Sequence, residues 1–439
     1  MTNKQQSSDF QTLPFVSIQS CGRARPFARR AHDVDLGVRG RISARAGRGV
    51  MLAVLIAACC VSLGRTAAAQ EYRVIFLVDL GGSSRGNSIN NRGWVAGFSR
   101  LTSGTNRHAT LWRDGAAQDL GTLGGPDKNS SVVWPVKNNR GVVVGISQTD
   151  TPEPNNEAWS CSAFFGGQTG YTCLGFTWID GVMKPLPPLA GGNNSFATGA
   201  NNQTVVGWAE NGVRDTTCVG RQVLQFLPVT WDLKTSQVQA LPLLTGDTSG
   251  AATAVNNKGQ IVGISGICDQ AVGRHTARHA VLWDKGTVTK IGDLGVRLWN
   301  TPMAINQRGD IVGFVGTDPD DLDGNYLHAF FWSRGEGFKE IAPLPLPGHV
   351  YSQANGVNER GQVVGSSCTL DGDCRAFFWA RGVLKNLKDL APGFNGEFIN
   401  AQDINDEGEI TGRALDPATG RIRPFVAVPV AGGEDDEND

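Results

Sequence analysis

The nine-residue phrase "INQRGDIVG", Ile305 to Gly313, has six close copies elsewhere in this chain. A chain built from such repeats buries its strands mainly against its own copies. Aligned on the last glycine, the copies end at Gly97, Gly145, Gly207, Gly263, Gly313, Gly365 and Gly412, at intervals of 47 to 62 residues. Asn followed three residues later by Gly suits a tight turn, because the Asn side chain can bond the backbone ahead of it and Gly accepts a positive φ. The flanking apolar residues then read as two paired strands. The third copy, "GANNQTVVG", has lost one residue and the turn glycine.

A second phrase follows each hairpin. It ends at Trp112 ("HATLW"), Trp178 ("LGFTW"), Trp231 ("LPVTW"), Trp283 ("HAVLW"), Trp332 ("HAFFW") and Trp379 ("RAFFW"), and decays to "RPFVAV" around Phe425. Such apolar runs, rich in β-branched and aromatic residues, suit short strands covered on both faces. A turn with Gly and a fourth run such as "VLKNLKDL" complete the unit. Four short antiparallel strands in about 40 to 50 residues is the period of a β-propeller blade. The seventh unit stops before a fourth strand, whereas "YRVIFLVDLG", Tyr72 to Gly81, is a fourth strand with no unit before it. Pairing them predicts an all-β, seven-bladed β-propeller of four-stranded antiparallel blades, closed by the N-terminal strand on the last blade.

The alternation of "INxxGxVVG", "HAFFW" and "DLGTLGG" (Asp119 to Gly125) resembles the HAF repeat family of bacterial exported proteins, over nearly the whole chain after Tyr72. The resemblance implies an extracellular repeat protein and brings no catalytic residues with it. Several units, among them the second, third and seventh, lack the His of the phrase, so no essential role is expected for it.

The first 69 residues hold ten basic and three acidic residues; subtracting these from totals of 40 and 41 leaves 30 and 38, a formal charge of −8. So acidic a body has no cation excess to displace phosphate counterions, and nucleic acid is not an expected partner. Within the leader, "VMLAVLIAACCVSLG" (Val50 to Gly64) followed by "RTAAAQ" has the basic start, short apolar run and A-x-A ending of a secretory signal peptide. It is shorter than the roughly 20 apolar residues of a spanning helix. The expected division is a leader and signal peptide at 1–69, cleaved after Ala69, a propeller at 70–430 and an acidic disordered tail at 431–439. Export to the extracellular space or periplasm follows, with no integral membrane domain after cleavage. "IAAC", ending at Cys59, leaves open the alternative of a lipid anchor on that cysteine. Six cysteines remain after Ala69, and an even number in an exported chain points to disulfides. Their spacing pairs Cys161 with Cys173 and Cys368 with Cys374, which leaves Cys218 for Cys268.

The loop from the hairpin glycine to the third strand has about 28 residues in the second unit but about ten or fewer in the first, sixth and seventh. All six cysteines fall in these loops, which propeller geometry places on one face, and binding usually resides in loops held by a rigid scaffold. The longest loop region carries Trp159 and Tyr171 as candidate ligand contacts. Seven residues before the turn Asn, units five to seven carry Trp299, Tyr351 and Phe398. That register puts three aromatics at the channel mouth, where they could stack on a sugar or peptide group or plug the channel; plugging is the favoured reading. His108, His279 and His328 occupy equivalent positions on different blades, too far apart to share a metal. The acidic loop "DPDDLDGN", with Asp318, Asp320, Asp321 and Asp323, is the best Ca²⁺ candidate, but it departs from the regular D-x-D-x-D-G spacing. No cofactor is therefore expected. Zinc spacing, a phosphate loop and a G-x-S-x-G elbow are all missing from the sequence. These features predict a monomeric, non-enzymatic binding module that holds a glycan or protein on its long-loop face. The alternatives are a propeller hydrolase or lyase acting on an extracellular polysaccharide or ester, and a structural surface protein.

Overall fold

The computed structural model describes residues 71–102, 106–136, 138–157, 161, 164, 165, 170–218, 220–268 and 275–430. The leader with Cys59 and Ala69, Trp159 and the tail after residue 430 lie outside the described residues. Seven four-stranded antiparallel sheets succeed one another, each paired in chain order except the last. Their first strands are Gly81–Ile89, Ser130–Ser131, Ser195–Ala200, Ser249–Val255, Thr301–Ile305, His349–Val357 and Glu397–Ile404. The last blade takes its fourth strand from the other end: Glu71–Phe76 pairs with Arg421–Val430, Tyr72 opposite Pro429 and Phe76 opposite Phe425. Closure is as expected, with the strand ending at Phe76 rather than continuing to Gly81.

The repeated phrase is explained by contacts on both of its strands. Its last glycine sits in the second strand against the first; a Cβ there would lie between 1.8 and 2.2 Å from a backbone oxygen of that strand in all seven blades, from Arg85 O at Gly97 to Ser131 O at Gly145. In six blades the first strand also shifts register beside this glycine, as between Pro302 and Ala304 opposite Gly313. The glycine is thus fixed by close backbone approach at a bulge.

The turn Asn does more than close its own hairpin. Asn306 Oδ1 accepts from the backbone N–H groups of Arg308, Gly309 and Asp310, while its Nδ2 donates to the carbonyl of Asn358, the equivalent residue of the next blade, at 3.0 Å. The same link runs from Asn90 to Asn138, Asn138 to Asn201, Asn201 to Asn256, Asn256 to Asn306, Asn358 to Asn405 and Asn405 back to Asn90, at 2.9–3.1 Å. Seven buried amides thereby form a closed hydrogen-bonded ring. The next residue builds an outer ring: the N–H groups of Asn91, Asn257, Gln307, Glu359 and Asp406 each donate to the side-chain oxygen of its counterpart one blade on. That position varies among Asn, Gln, Glu and Asp, yet always supplies a side-chain oxygen. At the outer end, the indole N–H of Trp112, Trp231 and Trp283 reaches a carbonyl just past the fourth strand of the preceding blade, at Val78, Pro187 and Pro242.

Antiparallel order gives the disc two unlike faces. One carries the Asn turns and the turns between third and fourth strands. The other carries the loops between second and third strands and the crossings between blades.

Candidate binding face

Three disulfides lie on the loop face, paired as the spacing indicated: Cys161–Cys173, Cys218–Cys268 and Cys368–Cys374. The first and third each close one blade's own loop, whereas Cys218–Cys268 joins the loops of blades three and four. Beneath the first, Phe164 stacks on Phe196 at 4.5 Å between ring centroids, and Trp134 and Trp208 close the cluster edge-on. The long loop therefore has a core of its own.

The aromatic register reads differently in the structure. Trp299, Tyr351 and Phe398 are 1, 3 and 0 % exposed, so their ring faces are not available to a ligand. Trp299 and Tyr351 belong to one buried cluster that runs across several blades, and Phe398 to a second that it shares with blade six. Trp299 has a left-handed backbone (φ 59°) and lies under Gly324 of the blade-five loop, where an added Cβ would stand 2.8 Å from the indole. Tyr351 lies beside the blade-six disulfide, its hydroxyl 4.0 Å from Cys374 Sγ, and burial pushes its pKa up to about 12. Phe398 packs on Phe394 and Phe425. The register marks buried core positions, so of the two readings stacking on a ligand lacks exposed ring faces. Tyr171 is half-buried, with Lys128 Nζ 4.3 Å over its ring.

Between blades two and three the face encloses three glutamates that sequence reasoning missed. Glu157, on the long loop, accepts from the N–H groups of Val223 and Leu224 at 2.7 and 2.6 Å, and its own N–H donates to Glu153 Oε2. Glu210 accepts from Asn194 N and Nδ2, and Gln222 Nε2 bridges Glu157 and Glu210 at 3.4 and 3.2 Å. Burial, followed by the charge of Glu157, pushes the Glu210 carboxyl up to about 7; burial also raises Glu153. The group stitches the long loop to the next blade.

The other titratable candidates remain local. His108 bonds Asp119 at 2.9 Å, His328 bonds Glu340, and His279 lies 4.0 Å from Asp247, on three separate blades. In the acidic loop, Asp321 accepts from Asn325 and the N–H of Tyr326, and Asp318 accepts from the N–H of Asp320. These carboxylates cap their own loop, and with Asp323 they do not converge on a common point among the described residues. Asp215, Cys218 and Cys268 do converge, but the two sulfurs are bonded to each other and are not thiolate ligands.

What the loop face does present is apolar side chains from three different loops: Val213 on blade three, Leu322 and Tyr326 on blade five, and Leu370 on blade six, each at least 41 % exposed. The sequence signal was their position in or beside the loops between second and third strands.

No protein family matches the chain, and neither does any curated protein. Among solved structures it is similar to the extracellular domain assigned to a one-component system of B. thetaiotaomicron (10% identity, TM-score 0.41, 83% of this chain and 40% of that one). It is also similar to the acylaminoacyl peptidase of Pyrococcus horikoshii (14%, 0.43, 70% and 45%) and to YCF48 bound to D1 peptide (13%, 0.41, 84% and 100%). The chain spans less than half the length of the first two. Likenesses this distant transfer no site or activity.

Proposed function

We propose that this protein is an exported binding module of the HAF-repeat type, which holds a glycan or protein on its loop face. The observation that carries the reading is the set of exposed apolar residues, Val213, Leu322, Tyr326 and Leu370, projecting from three loops on a disulfide-bonded face. Apolar side chains on rigid loops bind with little ordering cost, and interfaces concentrate their energy in a few such anchors. The opposite face has its turn amides committed to holding the blades together.

The test is a glycan array and a pull-down from secreted material with the purified chain, followed by the double variant Tyr326→Ser/Leu370→Ser. Retention of one defined partner, weakened by the variant about tenfold or more without a change in thermal stability, is the expected result. Unchanged retention by the variant would remove these loops from the site. Turnover in a glycoside or ester screen would favour the hydrolase alternative instead.

A further inference from the structure

The same tripeptide stands at the loop tips of two successive blades. Between second and third strands, blade five carries Leu322-Asp323-Gly324 and blade six carries Leu370-Asp371-Gly372. Both glycines have a positive φ, 78° and 82°, so each tripeptide reverses the chain in the region that glycine takes at least cost. Leu322 and Leu370 are 55 and 43 % exposed, and Tyr326, which ends the first loop, is 41 % exposed.

Both tips are held in shape. In blade five the Thr317 N–H donates to the Tyr326 carbonyl at 2.9 Å, Asp321 accepts from the Tyr326 N–H at 2.7 Å, and Gly324 lies against Trp299. In blade six the Cys368–Cys374 bond and the Thr369 N–H, which donates to the Asp373 carbonyl at 2.9 Å, close the tip. Leu327, the residue after Tyr326, shares one buried cluster with Tyr351, Cys368 and Cys374, so the two loops rise from common packing. A rigid tip loses little freedom when a partner covers it, and an exposed leucine gains affinity in proportion to the area covered.

The charge around the tips has one sign. Asp320, Asp323 and Asp371 are exposed, and their carboxylates have neither an ion pair nor a hydrogen bond among the described residues. Arg375, just beyond the blade-six tip, is committed to Asp373 and Glu397. Exposed carboxylates contribute little affinity each, but they select the charge of what approaches.

We infer that the Leu-Asp-Gly tips of blades five and six form one docking surface for a basic, apolar protein segment. The partner's apolar side chains cover Leu322, Tyr326 and Leu370, and its Lys or Arg side chains face Asp320, Asp323 and Asp371. The inference rests on the loop-face reading above and narrows its partner to protein of that charge.

The test uses the full chain and three fluorescein-labelled peptides of equal length: one of leucine and lysine, one with glutamate for lysine, and one with serine for leucine. Fluorescence anisotropy should show saturable binding of the Leu/Lys peptide, with the other two weaker by about tenfold or more. Leu322→Ser/Leu370→Ser should weaken that binding about tenfold or more, and Asp323→Asn/Asp371→Asn about three- to tenfold, the latter difference shrinking as salt rises. All four positions are exposed, so the variants should keep the parent's Tm; the single variants Leu370→Ser and Asp371→Asn repeat the reading if a double variant does not fold. No binding of the Leu/Lys peptide, equal binding of the Leu/Glu peptide, or full affinity after Asp323→Asn/Asp371→Asn would overturn the inference. The loop-face reading fails separately, when a partner captured from secreted material is retained unchanged by Tyr326→Ser/Leu370→Ser whatever its charge.

Discussion

The two faces of this propeller are made by the same seven units, yet they are held together by opposite means. On the turn face each blade repeats one solution, an Asn whose amide closes its own turn and clasps the next blade, and the ring returns from Asn405 to Asn90. On the loop face every blade differs, and cohesion comes from disulfides, the Phe164 cluster and buried glutamates particular to one place. A closed ring makes each link depend on the others, so the turn face resists change at any position. Local fastenings leave the loop face free to vary without opening the disc.

The largest expected effect breaks the ring. Asn306→Ala leaves the buried carbonyl of Asn358 without its clasp and removes the side-chain acceptor of the Arg308, Gly309 and Asp310 N–H groups, of which that of Asp310 is buried. With a buried unsatisfied group costing about 1–3 kcal/mol, a loss of roughly 3–5 kcal/mol in chemical denaturation is expected. Gln307→Ala, in the exposed outer ring, removes the side-chain oxygen that accepts from the Asn257 N–H, which water can replace, and should cost under about 1 kcal/mol. Equal costs would show that the inner ring is not the principal clasp.

The loop face should be most sensitive at the disulfide that joins two blades. Replacing Cys218 and Cys268 together by Ser releases a bond of sequence separation 50, and loss of such a loop closure is expected to cost about 2–4 kcal/mol. Opening Cys368–Cys374, with separation 6, should cost clearly less. Denaturation of the two double variants side by side reads the difference; the reverse order would show that loop-face cohesion does not come from joining blades.

Much of the turn face was legible in the sequence, and little of the loop face was. Asn306 and Gly309 announced a turn and Gly313 a strand because their chemistry is local. The clasp to Asn358 lies 52 residues away, although an unfailing side-chain oxygen at Asn91, Gln307, Glu359 and Asp406 was a sign of it. On the loop face the offset from the turn placed Tyr351 and Phe398 on first strands and Trp299 just before one, but an offset does not say how deeply a ring is covered. Gly324 and the Cys368–Cys374 bond decide that, by covering Trp299 and Tyr351. Glu153, Glu157 and Glu210 are separated by most of a repeat and meet only because the long loop folds back on blade three.

That meeting gives a prediction of a different kind, a pH effect. Glu210 has a folded pKa of about 7 against an ordinary 4.5, raised first by burial and then by Glu157. The folded protein therefore holds a proton that the unfolded chain releases. Its contribution is complete below pH 4.5 and disappears as pH rises through about 7, so this site lowers stability across that window. Glu210→Gln keeps an acceptor toward Asn194 while removing the charge that repels Glu157. It should flatten the dependence between pH 5 and 8 and raise stability at pH 8 by roughly 1–3 kcal/mol. Denaturant midpoints of the parent and variant at pH 5 and pH 8 provide the check. If the variant loses stability equally at both, the carboxylate acts only as a hydrogen-bond acceptor, and the long loop is joined to blade three without titratable strain.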